Sequence, residues 1–177
     1  MDAPAAFRQQ LLAAMPRLRR YARSLVFDAA QADDLAQTAL ERALTHWHQF
    51  DQRRDMGVWL LSIAHNAHLD QRRREARQAP LDEHQLEAEL DEFANRRPVA
   101  DPALRIDLLA ALRRLNADQR EALLLIGVEQ LSYAEAAEVL QIPVGTVMSR
   151  VCRGRIALRQ LLDGAEPVRA GHLRRVV

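Results

Sequence analysis

Apolar residues recur every three or four positions through most of this 177-residue chain, which is the spacing of one face of an α-helix. No stretch alternates apolar and polar residues for long enough to indicate a β-strand. The pattern therefore predicts an all-α protein. Because 49% of the residues are apolar, we expect a globular chain with hydrophobic cores.

Charge divides the chain into three parts. Residues 1–77 contain 12 Arg and 9 acidic residues. Residues 78–103 contain 2 Arg and 7 acidic residues, and residues 104–177 contain 11 Arg and 8 acidic residues. We expect two small helical domains, at residues 1–77 and 104–165. An acidic linker at residues 78–103, with one short helix, joins them, and a tail at residues 166–177 follows the second domain. Basic domains favour a polyanionic partner, although a solvated charged face is an equal alternative.

Three helices are predicted in the first domain. The first begins after Pro16 and buries Leu18, Tyr21, Ala22 and Leu25. Asp28 can cap a second helix with the buried row Leu35, Ala39, Leu40, Ala43, Leu44 and Trp47. After a loop at Gln49–Gly57, the third spans Val58–Arg74 and buries Trp59, Leu60, Ile63, Ala64 and Ala67. Beyond the linker, helices are expected at Leu104–Leu115 and Ala117–Gly127.

The segment from Leu131 to Leu162 has the pattern of a helix-turn-helix. Ser132 and Glu135 form a capping box, and Pro143 suits the first position of the next helix. The predicted core residues of that helix are Val147, Val151, Ile156, Leu158 and Leu162, and its predicted exposed face is Thr146, Ser149, Arg150, Arg153 and Ala157. Small residues allow close approach to the major groove and Arg can bond guanine or phosphate, so this face is typical of DNA recognition. The alternative is an ordinary helical hairpin with solvated arginines.

Residues 108–162 resemble the C-terminal domain of the extracytoplasmic-function sigma factors, within the sigma-70 family. The resemblance is strongest in the Pro-x-Gly-Thr-Val-x-Ser-Arg run at Pro143–Arg150. It departs from the family at Asn116-Ala117, where a Pro is usual, at Gln141, where Gly is usual, and at Met148, where many members have Lys. It implies that 104–165 is sigma region 4, which binds the minus 35 element through Thr146, Ser149, Arg150 and Arg153.

The first domain resembles region 2 of the same family. Gln31–Leu44 is similar to the helix that docks on the clamp helices of the polymerase, which implies polymerase contacts at Asp33, Asp34, Gln37 and Glu41. Met56–Arg74 is similar to the helix that melts the promoter and reads the minus 10 element, which implies DNA contacts at Asn66, Asp70, Arg73 and Arg74. The loop at Gln49–Met56 would then capture an extruded base.

The resemblance implies a promoter-specific initiation factor that binds core RNA polymerase and promoter DNA and is held by an anti-sigma factor. The sequences LSYAEAAEVL and GTVMSR are similar to those of general-stress members of the family, which implies that the target genes respond to stress. We expect no enzyme activity, catalytic residue, cofactor or metal, since no phosphate loop or nucleophile elbow is present. Without a signal-like N-terminus or a long apolar run, we expect a cytoplasmic protein that does not enter membranes.

Two other functions remain open. One is a stand-alone dimeric helix-turn-helix regulator, and the other is a helical enzyme that holds a metal through the pairs His46 and His48 or His65 and His68. Among the aromatic residues near the loop, Trp47 and Trp59 are expected in the core and Phe50 is the better candidate for base stacking. The single Cys152 is expected to be a small core residue.

Overall fold

The computed structural model describes residues 3–78 and 102–163. Within them lie α1 (Ala5–Val26), α2 (Ala29–Thr45), α3 (Met56–Gln78), α4 (Pro102–Arg114), α5 (Ala117–Gly127), α6 (Tyr133–Leu140) and α7 (Val144–Leu162), with a 3-10 turn at Trp47–Gln49. These ranges contain no strand, and the predicted all-α class is confirmed. The predicted linker helix and tail fall at 79–101 and 164–177, outside the described residues.

Most predicted helices form, but α1 is longer than expected. It begins at Ala5, so the prediction that it starts after Pro16 was wrong. The buried row continues toward the N-terminus through Phe7, Leu11 and Ala14, and this packing maintains the helix despite the hydrogen bond that a proline cannot donate. Asp28 caps α2 as predicted, because its Oδ1 accepts a hydrogen bond from the Gln31 amide at 2.5 Å.

Helices α1, α2 and α3 pack together as one half of the molecule, and α4 to α7 form the other half. The halves also touch: α5 lies on α1, and α6 lies on α3. One continuous hydrophobic cluster joins them, since it includes Leu18 and Leu61 from the first half and Leu125 and Val139 from the second. Helix α3 is therefore covered on two faces.

A buried carboxylate lies where the halves meet. Glu121 of α5 accepts hydrogen bonds on Oε1 from the Tyr21 hydroxyl at 2.5 Å and from His65 Nδ1 at 2.6 Å. Burial opposes ionisation of Glu121, but its hydrogen bonds with His65 and Tyr21 outweigh burial and lower the pKa of the carboxyl. Burial raises the pKa of the Tyr21 hydroxyl, as does the nearby charge of Glu121, so this hydroxyl remains a donor.

His68 lies one turn along α3 from His65 and is also buried. Burial disfavours the charged ring and lowers the pKa of His68. Glu121 opposes this shift, whereas Arg72, Arg120 and His65 reinforce it.

We predict that acidification destabilises the fold through His68. Its neutral form contributes stability that is complete above the usual pKa of about 6.5 and is lost as the pH falls toward the lowered folded value. One proton taken up on unfolding gives a slope of up to about 1.4 kcal/mol per pH unit in the free energy of unfolding. Urea titrations between pH 7 and pH 5 should show this slope in the wild type and a smaller one in His68→Gln. Equal slopes would contradict the prediction.

The packing of α5 on α7 depends on Gly154. A Cβ built at Gly154 would lie 2.9 Å from Cδ1 and 3.1 Å from Cγ of Leu123, which is too close for an unmoved side chain. By contrast, a Cβ at Gly145 on the same helix would meet nothing within 4 Å.

These two glycines provide a matched test. Gly154→Ala should lower the free energy of unfolding by about 1 kcal/mol, because Leu123 must move. Gly145→Ala should raise it by about 0.5–1 kcal/mol, because alanine is the better helix former. Chemical denaturation measures both, and a stabilised Gly154→Ala variant would show that this contact is not tight.

Candidate nucleic-acid interface

The helix-turn-helix begins at a complete capping box. The Glu135 amide donates to Ser132 Oγ at 3.2 Å, and the Ser132 amide donates to Glu135 Oε2 at 2.8 Å. Hydrogen bonds from Ser132 lower the pKa of the Glu135 carboxyl. The prediction that α6 starts at Tyr133 is confirmed, because this box fixes the first turn.

The turn to α7 uses a left-handed residue. Gln141 has φ 53°, a conformation that costs little for glycine and more for other residues, which accounts for glycine being usual here. Pro143 is the residue before the first helical one, Val144, and not the first helical residue itself. Helices α6 and α7 still meet as a helix-turn-helix, and Val139 of α6 and Val147 of α7 are both buried.

The predicted recognition face of α7 has both exposed and half-buried side chains. Ser149 and Arg153 are exposed, and Arg153 donates to the Ser149 carbonyl at 3.3 Å. Thr146 and Arg150 are half-buried. Arg150 Nη2 lies 2.7 Å from Asp118 Oδ2 of α5, a pairing that the sequence did not indicate. The most accessible cation of this face is therefore Arg153.

A second surface of α7 is apolar where the sequence predicted core. Ile156 and Leu162 are 56% and 43% exposed, so their assignment to the core was wrong. Cys152 is also exposed, contrary to prediction. Ile156 and Cys152, together with Met148 and Tyr133, line a groove of about 570 Å³. Among residues 3–78 and 102–163, the main contacts of α7 are with α4, α5 and α6, which leave part of its circumference uncovered.

The predicted minus 10 residues lie along the C-terminal half of α3. Asn66 and Asp70 are half-buried, and Arg73 and Arg74 are exposed. Asp70 Oδ2 accepts a hydrogen bond from Arg42 Nη1 of α2 at 3.0 Å, so its orientation is fixed from the neighbouring helix. The four residues thus run from a half-buried stretch at Asn66 and Asp70 to an exposed one at Arg73 and Arg74.

The loop before α3 is held by its own carboxylates. Asp55 Oδ1 accepts from the Val58 amide at 2.8 Å and so caps α3. Phe50 is 9% exposed and its ring centroid lies 5.0 Å from that of Trp59, so Phe50 is not the free stacking surface that we predicted. A cavity of about 250 Å³ lies beside the loop, lined by Pro4, Ala6, Phe7, Gln10, Trp47, His48, Phe50 and Gln52.

The predicted polymerase residues share the solvent-facing side of α2. Asp33, Asp34, Gln37 and Glu41 are all exposed, at spacings of three and four residues. Gln37 Nε2 donates to Glu41 Oε1 at 2.9 Å, and Asp33 lies 3.9 Å from Arg23. Asp34 has the fewest such constraints, which makes it the clearest probe of this acidic face.

The described residues contain no cluster of three His, Cys, Asp or Glu side chains that could hold a metal ion. His65 is hydrogen-bonded to Glu121, and the rings of His46 and His48 lie 6.4 Å apart on the surface. None of the helices in residues 3–78 and 102–163 is both long enough and apolar enough to span a membrane.

Two protein families match the two halves of the chain. Residues 11–65 match the family described as the Sigma2 domain of PhyR, and residues 105–158 match Sigma-70, region 4. The chain is 38% identical over 165 residues to "ECF RNA polymerase sigma factor EcfG" of Rhodopseudomonas palustris, covering 90% of this chain and 87% of that protein. It is 35% identical over 143 residues to "ECF RNA polymerase sigma factor SigW" of Bacillus subtilis, covering 75% of each.

Two solved structures have folds similar to this one. The fold is similar to the sigma factor RpoE of Bartonella quintana, solved with the anti-sigma factor NepR, with a TM-score of 0.71, 30% identity, and coverage of 90% of this chain and 98% of that one. It is also similar to CnrH in complex with the cytosolic domain of CnrY, with a TM-score of 0.65, 27% identity, and coverage of 90% and 88%.

Proposed function

The chain belongs to the extracytoplasmic-function sigma factors of the sigma-70 family, and we propose that it carries core RNA polymerase to promoters with two separated elements. Members of this family are transcription initiation factors. The observation that carries the proposal is the match of both halves, in order, over 90% of the chain. A stand-alone dimeric regulator would need only the helix-turn-helix, so it does not account for the match of α1 to α3.

The minus 35 element is the proposed ligand of α7. Ser149 and Arg153 present a small hydroxyl and an accessible guanidinium on one exposed face. A guanidinium on a recognition helix can form a fork to guanine or hold a phosphate. The ion pair with Asp118 would hold the Arg150 side chain in place beside this face. The small side chain of Thr146 would allow the DNA backbone to approach α7 closely.

The minus 10 element is the proposed ligand of α3 and the loop before it. Arg73 and Arg74, both exposed, would supply charge for the phosphates, while the half-buried Asn66 and Asp70 would contact bases. A base that leaves the duplex stack needs a compensating pocket. The 250 Å³ cavity has aromatic walls and the polar groups of His48 and Gln52, which suits a nucleobase.

The acidic face of α2 is the proposed contact with core polymerase. Its carboxylates would meet basic residues of the polymerase, with the strongest effect on the rate of association. We also propose that an anti-sigma factor binds this chain, because the solved relatives RpoE and CnrH were captured in complexes with NepR and CnrY. The similarity of the recognition segment to general-stress members supports stress-responsive target genes.

The α7 proposal predicts a specific effect of Arg153. Arg153→Ala should weaken binding of the reconstituted holoenzyme to a promoter by about 1–3 kcal/mol, because a base or phosphate contact is lost. Binding is measured by fluorescence anisotropy on promoters with single changes in the minus 35 element. Arg150→Ala should act in the same direction, since it loosens the same face.

Arg155→Ala is the matched control, because Arg155 is equally exposed but lies on the other side of α7, beside the apolar groove. It should leave promoter affinity unchanged. If Arg153→Ala relaxes specificity at one position, Arg153 reads a base. A uniform loss assigns it to the backbone, and no loss would refute the docking of this face.

The two proposed partners of the first half can be separated by mutation. Asp34→Lys should weaken binding to core polymerase by about tenfold or more, because it reverses a charge on the acidic face. Asn66→Ala should leave core binding intact and reduce promoter opening, measured by permanganate footprinting.

Glu75→Lys supplies the same charge reversal on α3 and should not weaken core binding, since Glu75 is exposed but lies on a different helix from the acidic face. If Asn66→Ala instead reduced core binding while Asp34→Lys affected only promoter opening, the assignment of the two helices would be reversed.

A further inference from the structure

The two arginines of the recognition face of α7 are held in different ways. Arg153 bonds within its own helix, to the carbonyl and to the hydroxyl of Ser149, both at 3.3 Å. Arg150 instead reaches across to α5, where its Nη2 lies 2.7 Å from Oδ2 of Asp118. A guanidinium bonded to a carboxylate at this distance has a fixed direction and part of its charge balanced. The face therefore carries one arginine bonded to uncharged groups and one bonded to an acid.

The position of Asp118 is set by the packing of α5 on α7. Asp118 lies in the first turn of α5, where its amide donates to Oδ1 of the capping residue Asn116 at 3.0 Å. The next residue packs beside Gly154, since a Cβ built there would lie 3.3 Å from Cβ of Gln119. Gly154 is one helical turn beyond Arg150, so this close contact also brings the carboxylate to the guanidinium. A capped and closely packed helix end, not a loop, thus holds the acid in place.

The ion pair remains open to exchange with DNA. The Asp118 side chain is 57% exposed and the Arg150 side chain is 23% exposed. Ion pairs that water reaches are weak and are screened by salt. A DNA phosphate beside α7 would compete with Asp118 for the same guanidinium, and the negative charge of Asp118 would repel that phosphate.

Phosphate contacts and base contacts have different effects on selectivity. Every DNA sequence presents the same phosphates, so an arginine that reaches a phosphate raises the affinity for all sequences. An arginine held in one place on the protein adds affinity only where the groove surface suits that place. An acid that restrains an arginine therefore lowers unselective binding more than selective binding.

We propose that Asp118 is a specificity-determining residue, which holds Arg150 off the DNA phosphates so that binding at the minus 35 element depends on the base contacts of α7. Asp118 acts through Arg150, so it is a positioning residue. This inference rests on the proposed function, because it assumes that α7 docks in the major groove of the minus 35 element.

Asp118→Asn tests the restraint, because it removes the charge but keeps the size of the side chain and the backbone amide that Asn116 caps. Reconstituted holoenzyme is titrated onto a promoter with an intact minus 35 element and onto one with that element scrambled, at several salt concentrations. The released Arg150 gains a phosphate on scrambled DNA, so the slope of log affinity against log salt should steepen by about 0.9.

The ratio of the affinities for the two promoters should fall in the same variant. The gain should be smaller on the intact element, because Arg150 leaves a position that suits the groove in order to reach the phosphate. The ratio should fall by about threefold, which is what one phosphate contact contributes between about 50 and 200 mM salt.

Asp163→Asn is the matched control, because it removes the same charge from an exposed aspartate at the C-terminal end of α7. Asp163 lies about 20 Å along the helix from Arg150, at about 1.5 Å per residue. This exceeds the Debye length of about 8 Å at physiological salt, so the ratio and the slope should not change. Asp118→Glu restores the carboxylate and should return both values to those of the wild type. In an Arg150→Ala background, Asp118→Asn should change neither value, because the group through which Asp118 acts is gone.

An unchanged ratio and slope in Asp118→Asn would overturn the proposal. So would an equal effect of Asp163→Asn, or an effect of Asp118→Asn that persists without Arg150, which would show that Asp118 acts on DNA directly. A wild-type holoenzyme that bound both promoters equally would instead refute the docking of α7, and with it the proposed function of this helix.

Circular dichroism checks the helical content of every variant. If Asp118→Asn loses helix, Arg150→Ala alone decides, because it leaves α5 intact. It should weaken promoter binding without changing the salt slope, since a restrained Arg150 neutralises no phosphate. A slope shallower by about 0.9 would show that Arg150 already holds a phosphate in the wild type, and would overturn the restraint.

Discussion

Glu121 and Glu129 are carboxylates that lie almost entirely out of contact with water, and the arrangement of the two halves follows from the partners they require. A buried charge without partners costs several kcal/mol, whereas a fully hydrogen-bonded one is tolerated. The donors are Arg17, Arg20 and Tyr21 of α1 and His65 of α3, so α5 is buried against those two helices without an unpaired charge. With α5 in this position, α6 packs against α3, and one hydrophobic cluster runs through both halves.

The surfaces left outside this core carry the proposed function. Arg153 faces solvent on α7, whereas Gly154 beside it lets α7 lie close against α5, with Leu123 filling the space that a side chain would take. The acidic side of α2 is exposed because the main contacts of α2 within the described residues are with α1 and α3. The same helices thus display the groups proposed to face DNA and polymerase on one side and hold the halves together on the other. The proposed binding surfaces therefore depend on the packing contacts between the halves.

Much of this could be predicted from the sequence, and the failures have physical reasons. The Ser132 and Glu135 box and the Asp28 cap were predicted because both devices act within three or four residues. The start of α1 was missed because Pro16 is an unfavourable helix residue that tertiary packing overrode. Ile156 and Leu162 were assigned to the core because periodicity identifies an apolar face without saying whether another element covers it. Phe50 has an aromatic ring that could stack on a base, but the rings of Phe7 and Trp59 pack against it.

The sequence by itself determined the helical class, the capped helix-turn-helix and the family, since these depend on short-range spacing and on motifs that can be read in order along the chain. Only the tertiary structure decided which charges are buried and what they pair with. The bond from Tyr21 to Glu121 joins residues 100 positions apart, and those from Arg20 to Glu129 join residues 109 positions apart. No local pattern marks such pairs, because each partner alone has the spacing of an ordinary helix residue. Their meeting depends on how whole helices pack, which is a property of the folded molecule.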